Sequence, residues 1–229
     1  MNQTQHSHIV SAYGAELDQL ADDLLRMGGL VETQLTESLQ AFIRRDLSVV
    51  PAVREREKKV NELAAGVERR VVRLFALRQP MAADLRVTIS AMKIASDLER
   101  MGDLAKNIAF RAEDMNEFPP MPVLGQIERL GAVVAKQLRD GLDTLSNQDV
   151  ASVIRVWQAD DEVDEHHNAV TREVLMSMTQ NPQFVEPGVP VLFVSKNLER
   201  LGDHVTNIVE AVHFMATGEQ LEDSDTLEA

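Results

Sequence analysis

The 229-residue chain has no cysteine. That excludes disulfides, thiolate metal sites and a cysteine nucleophile. Aromatic residues make up only 4%, and Gly (11) and Pro (8) are sparse and clustered. Ala, Leu, Val, Glu and Arg dominate instead, a mixture that favours helices. Long hydrophobic runs are also missing: the longest, Val189 to Val194, is far short of a membrane span. Residues Met1 to Gln5 are polar and no apolar stretch follows, so no signal peptide is expected. Basic residues are the minority, 23 against 37 acids, for a net charge of −14. A nucleic-acid binder would present a basic surface, and docking on an anionic membrane is disfavoured as well. The acidity suits cations or basic protein surfaces, although charge of this kind speaks first to solubility. No Gly-rich phosphate loop, nucleophile elbow or Ser/His/Asp arrangement is present. No catalytic residues are therefore assigned, and a cytoplasmic location fits the whole pattern.

What the chain does contain is a repeat. Asp97 to Ile108 reads D-L-E-R-M-G-D-L-A-K-N-I, and Asn197 to Ile208 reads N-L-E-R-L-G-D-H-V-T-N-I. Seven of the twelve positions match, and most of the matching residues are polar. A core constraint alone would have kept the apolar ones. Such self-similarity fixes the architecture before any local reading.

Around the repeat the hydrophobic spacing is helical. Leu17, Leu20, Leu24, Met27, Val31, Leu35 and Leu39 recur at three and four. The spacing predicts helices over roughly 8–45, 49–78, 81–117, 124–145, 149–179 and 191–216. Gly28-Gly29 reads as an interruption of the first, and Pro187-Gly188-Val189-Pro190 as the turn before the last. Asp46, Asp84 and Asp149 are start signals. The seams of the third and sixth helices alternate threes and fours, as in packed bundles. The expected fold is all-α, two tandem three-helix bundle repeats related by a pseudo-twofold. The first repeat covers 1–118, a Pro-rich linker 119–122 and the second repeat 123–217. An acidic tail over 218–229 is expected to be disordered.

Glu99 and Asp103 stand four apart on a helix and share a face, as do Glu199 and Asp203. Like charges at that spacing cost a few tenths of a kcal/mol. Two carboxylates about 6 Å apart can converge on one hard cation. A second pair precedes each: Glu57 with Asn61, and Asp160 with Asp164. In an antiparallel helix pair Glu57/Asn61 would meet Glu99/Asp103, and Asp160/Asp164 would meet Glu199/Asp203. Oxygen ligands point to Mg²⁺, Mn²⁺, Ca²⁺ or iron, with Zn²⁺ as a borderline choice. The second site has four carboxylates and the first three plus an amide, so the second is expected to bind more tightly. Asn107, Asn207 and His204 are candidate outer-shell partners. Gly102 and Gly202, inside the motifs, are read either as close-approach positions or as plain packing glycines. Two other readings stand beside this one: a helical scaffold without metal, and a di-metal carboxylate oxidase. The latter needs His ligands on two helices, and only Glu210-x-x-His213 resembles the required pattern.

The double L-E-R-hydrophobic-G-D-x-x-x-N-I motif resembles that of the PhoU family. So does Arg78-Gln79-Pro80 followed by Asp84-Leu85-Arg86. The resemblance covers about residues 10 to 217. It implies a six-helix, two-repeat bundle, often dimeric, that acts in the bacterial cytoplasm as a negative regulator of the phosphate-starvation response. The partners it implies are the ATPase subunit of the phosphate ABC transporter and the sensor histidine kinase of the phosphate regulon. It also implies metal ions, divalent or trivalent (iron, Mn, Mg or Zn), at paired E(D)-x-x-x-D motifs. Asn61 departs from that acidic pattern.

Overall fold

A computed structural model of the chain describes residues 3–115, 118–119 and 121–221, with side chains from Tyr13 onward. Among these residues the regular structure is helical throughout. The α-helices are α1 (Gln3–Arg44), α2 (Val50–Arg78), α3 (Ala83–Met115), α4 (Leu124–Asn147), α5 (Val150–Gln158), α6 (Asp160–Gln180) and α7 (Val185–Thr217). Short 3-10 turns at Leu47–Val49 and Pro182–Phe184 lead into α2 and α7. Only Ala159 separates α5 from α6, and its backbone stays right-handed helical (φ −67°, ψ −11°). The two form one interrupted rod, so the bundle has six, three per repeat. Of the expected tail over 218–229, residues 222–229 lie outside the described residues, as do Asn116, Glu117 and Pro120.

The same capping chemistry sets three of the joins. Asp46 Oδ1 accepts from the Ser48 amide at 3.0 Å, and Asp149 Oδ1 from the Ala151 amide at 3.1 Å. Asn181 Oδ1 accepts from the Gln183 amide at 3.4 Å. In each case a short side chain satisfies an amide that the helix start leaves without a partner. Pro51 follows in the first turn of α2, where its missing N–H costs nothing.

Four expectations are corrected. Helix α1 runs through Gly28-Gly29 unbroken, because Gly28 serves a different purpose: a Cβ there would overlap Leu142 of α4. Helix α7 begins at Val185, not Val191. Pro187 falls in its first turn, where no amide hydrogen bond is needed. Pro190 gives up a single bond and is itself buried. The third helix begins at Ala83 rather than Met81, since Gln79 (φ 46°) and Ala82 (φ 48°) both take left-handed backbone. The fifth predicted helix is split at Ala159, directly before Asp160.

Helix α3 packs on α1 and α2, and α7 packs on α4, α5 and α6. The repeats then join through α3 against α7 and α1 against α4. Ile94, Leu98, Met101, Ala105 and Ile108 of α3, with Val191, Val194, Leu198, Leu201, Val205 and Ile208 of α7, are buried in one continuous core. Among the described residues α2 and α6 touch no helix of the opposite repeat. The α2/α3 and α6/α7 seams are therefore separate places. On α2, Arg56 grips Glu37 through two hydrogen bonds of 2.6 and 3.0 Å, and Arg70 meets Asp23 at 3.1 Å.

Leu98 is fully buried on the central helix α3. Leu98→Ala is expected to lower stability by about 2–5 kcal/mol, read from urea unfolding midpoints. Leu77→Ala, at an exposed position, is expected to stay within about 0.5 kcal/mol of wild type. Equal losses would mean that the α3 seam is not the core.

Candidate metal-binding sites

Each acidic motif faces the outer helix of its own repeat, as the sequence predicts. The two seams nevertheless differ in how their charge is compensated. In the first, Lys106 of α3 reaches across to α2. Its ammonium donates to Glu57 Oε1 at 2.9 Å and to Asp103 Oδ1 at 2.7 Å. Asn61 Nδ2 donates to the same Glu57 oxygen at 2.8 Å. Asn61 and Glu99 share a shallow groove with Ala64, Glu68 and Met92. Burial of Lys106 works against its charge, but hydrogen bonds to Asp103 and Glu57, together with their negative charges, raise its pKa above the usual lysine value.

In the second seam Asp160 accepts from Gln137 Nε2 of α4 at 3.2 Å. Burial pushes its carboxyl up to about 6. The Gln137 hydrogen bond opposes this, and the charges of Asp203, Asp164 and Glu199 reinforce it. The Asp203 carboxyl is raised too, by burial first and then by Glu199, with Asp164 adding to it and Lys196 and His204 opposing. Asp160 and Asp203 thus feel the charges of neighbouring acids on both helices. Lys196 pairs with Glu199 Oε1 from the solvent side. The other oxygen, Glu199 Oε2, is buried and has no hydrogen-bond partner.

The motif glycines divide the same way. A Cβ on Gly202 would lie 2.8 Å from Asp160 Oδ1 and 3.2 Å from both Gln137 Oε1 and Val163 Cγ1. Gly202 thus lets Asp160 lie against α7. A Cβ on Gly102 would meet Val60 Cγ1 at 3.5 Å, an ordinary contact. Gln34 of α1 donates to the Gly102 carbonyl at 2.7 Å.

Buried Gln34 and Gln137 are the site residues that sequence reasoning missed. A signal existed: both sit in V-x-x-Q-L, one polar residue inside each apolar stripe (Val31 to Leu35 and Val134 to Leu138). Of the outer-shell candidates, His204 Nδ1 lies 2.9 Å from Asp97 Oδ1 on α3, and Asn207 Nδ2 donates to the same oxygen at 3.4 Å. Both side chains cross-link the repeats. Asn107 is exposed. Glu210 accepts from Trp157 Nε1 at 3.1 Å, which ties it to α5.

Among the described residues no three His, Asp or Glu side chains are already gathered closely enough to hold an ion. The donor chemistry still separates the seams. The second offers four carboxylates, a set that suits a hard cation, and each seam keeps a buried oxygen lacking a partner, Glu199 Oε2 in the second and Asn61 Oδ1 in the first. The first has an ammonium already bridging two of its acids, and Asn61 in place of a fourth.

A sequence model of the PhoU domain matches residues 24–112 and again 127–212. The chain belongs to the PhoU domain family. Both matched stretches contain one acidic motif. A Caulobacter vibrioides homologue of PhoU, described as a phosphate-specific transport system accessory protein, is 46% identical over 215 residues, 93% of this chain and 94% of that one. A crystal structure of PhoU from Pseudomonas aeruginosa superposes with a TM-score of 0.86 at 33% identity, covering 90% of this chain and 100% of that one. The phosphate transport system regulatory protein PhoU from Streptococcus pneumoniae superposes at 0.85 with 28% identity, over 92% and 99%. No helix among the described residues is long and apolar enough to cross a membrane.

Two predictions follow from this geometry. Gly102→Ala should be tolerated, with a gain of up to about 1 kcal/mol from helix propensity, whereas Gly202→Ala should lose stability by displacing Asp160. Urea midpoints falling in the opposite order would refute the close approach at Gly202. The second concerns pH. The folded-state pKa of Asp160, about 6, lies above its ordinary 3.8. Between those values the folded state holds the extra proton, so metal-free protein should lose stability as pH rises from 4 through 6. Asp203 adds to the same slope. Asp160→Asn should flatten it in chelator-treated samples, and an unchanged slope would show that Asp160 is not in this environment.

Proposed function

We propose that this protein is a cytoplasmic, non-enzymatic regulator of phosphate uptake that represses the phosphate-starvation response when phosphate is plentiful. It acts as an adaptor between the ATPase subunit of a phosphate ABC transporter and the sensor histidine kinase of the phosphate regulon, and it works as a homodimer. The observation that carries this reading is the match to PhoU-type accessory proteins of phosphate transport across 93% of the chain at 46% identity. The repeat architecture supports it, because each half offers its own helical face and one molecule can therefore engage two partners. On this reading Asp160, Asp164, Glu199 and Asp203 hold a metal ion of the hard or borderline class, such as iron, Mn²⁺, Mg²⁺ or Zn²⁺. The ion would neutralise mutually repelling carboxylates. The chain's own part is to aim these oxygens: Gln137 holds Asp160, and Gly202 makes room for it.

Deleting the gene should switch a phosphate-starvation reporter on in phosphate-rich medium, and the wild-type chain should switch it off again. The full-length protein should also co-purify with the transporter ATPase and the kinase. Glu199→Gln with Asp203→Asn should leave less metal in the purified protein and weaken repression. A reporter indifferent to deletion would end the regulatory reading. Full repression by a metal-free double variant would end the metal part alone.

A further inference from the structure

The two seams occupy equivalent places in a duplicated fold, so position by position they should be interchangeable. Their charge differs in two respects: Asn61 stands where the second seam has Asp164, and the lysines are placed differently. Position 106, one turn after Asp103, is Lys, and the equivalent position 206, one turn after Asp203, is Thr. The Lys106 side chain is only 21% exposed, and its ammonium bonds an acid on each of the two helices. Glu57 Oε1 accepts from both Lys106 and Asn61. A metal ion entering this seam would meet a fixed positive charge already bonded to Glu57 Oε1 and Asp103 Oδ1. Thr206 instead turns its hydroxyl back to the Asp203 carbonyl at 2.7 Å and adds no charge. Lys196, the lysine of the second seam, is 55% exposed and pairs with Glu199 alone. Its counterpart in the first repeat is Ser96.

We propose that Lys106 is a tethered cation that fills the α2/α3 seam in place of a metal ion, so that the protein has one cation seam open to solvent ions rather than two. The acidic motif of the first repeat is thereby a structural joint with a built-in counter-charge, and ion-dependent behaviour belongs to the second repeat. The statement about Lys106 stands on the first seam alone; only the occupancy of the second seam rests on the metal reading above.

The test uses the full chain, Mn²⁺ as the probe, and two readouts: elemental content after gel filtration, and the Mn²⁺-induced rise in Tm over chelator-treated protein. Glu199→Gln/Asp203→Asn should lose both the bound Mn²⁺ and the Tm rise. Adding Lys106→Thr to that double variant should restore both, now at the first seam. Thr206→Lys in the otherwise wild-type chain should abolish both by installing the same device in the second seam. Lys106→Arg, which keeps the charge, should behave as wild type and controls for packing. Retention of wild-type Mn²⁺ by the double variant would overturn the proposal, as would failure of Lys106→Thr to confer any Mn²⁺-dependent Tm rise. If wild type takes up no Mn²⁺, the metal reading falls, while gain or absence of a Tm rise in Lys106→Thr still decides the role of Lys106.

Discussion

Like charges brought together where two helices meet must be compensated, and the way each repeat does so governs its chemistry. Glu57, Glu99 and Asp103 lie on α2 and α3, and Asp160, Asp164, Glu199 and Asp203 on α6 and α7, with Asp164 and Asp203 exposed, where the packing of each helix pair brings like charges to one seam. In water such acids would repel weakly. In the second seam burial first, and the neighbouring acids after it, raise the Asp160 and Asp203 carboxyls. In the first repeat the compensation is a lysine within the chain.

The rest of the fold keeps these seams in place. The α3 and α7 stripes are buried without gaps at every third or fourth position. Each central helix presents its motif glycine and acidic face to one outer helix while its opposite side packs on the other repeat. Because the i,i+4 acids lie beside the apolar stripe and not on it, the same helix serves core and site at once. Stability and ion chemistry are therefore linked through the placement of α2 and α6.

Much of this was legible in the sequence. The repeat, the heptad-like seams and the capping aspartates lead directly to a six-rod bundle, because those signals are local and periodic. The placement of Asp160/Asp164 and Glu199/Asp203 along neighbouring helices follows from i,i+4 spacing, but among the described residues these acids are not gathered closely enough to hold an ion. What was not legible depends on contacts between distant segments. Gly28 looks like a helix breaker until Leu142 is seen to occupy its face. Pro187 and Pro190 look like a turn, yet a helix N-terminus tolerates them. Gln34 and Gln137 look like ordinary polar residues in stripes that are otherwise apolar. Lys106 is one of six lysines in a charged sequence, and only its reach to Glu57 across the seam distinguishes it.

The contact of Asp97 with His204 and Asn207 bears on how a duplicated chain avoids pairing with the wrong copy of itself. Two of its three residues have no equivalents in the repeat: Asn197 stands where Asp97 would recur, and Leu104 where His204 would, while Asn107 matches Asn207. Packing α3 against another molecule's α3 would set the Asp97 carboxylate opposite Leu104, leaving only an amide such as Asn107 to meet it. Packing α7 against α7 would place Asn197 opposite His204 and forgo the charge-assisted bond. The hydrophobic stripes of the two helices are alike enough to permit either mistake. This one polar cross-link makes the heterotypic, within-chain pairing the better bonded arrangement, and so supplies fold fidelity that the apolar core alone does not encode.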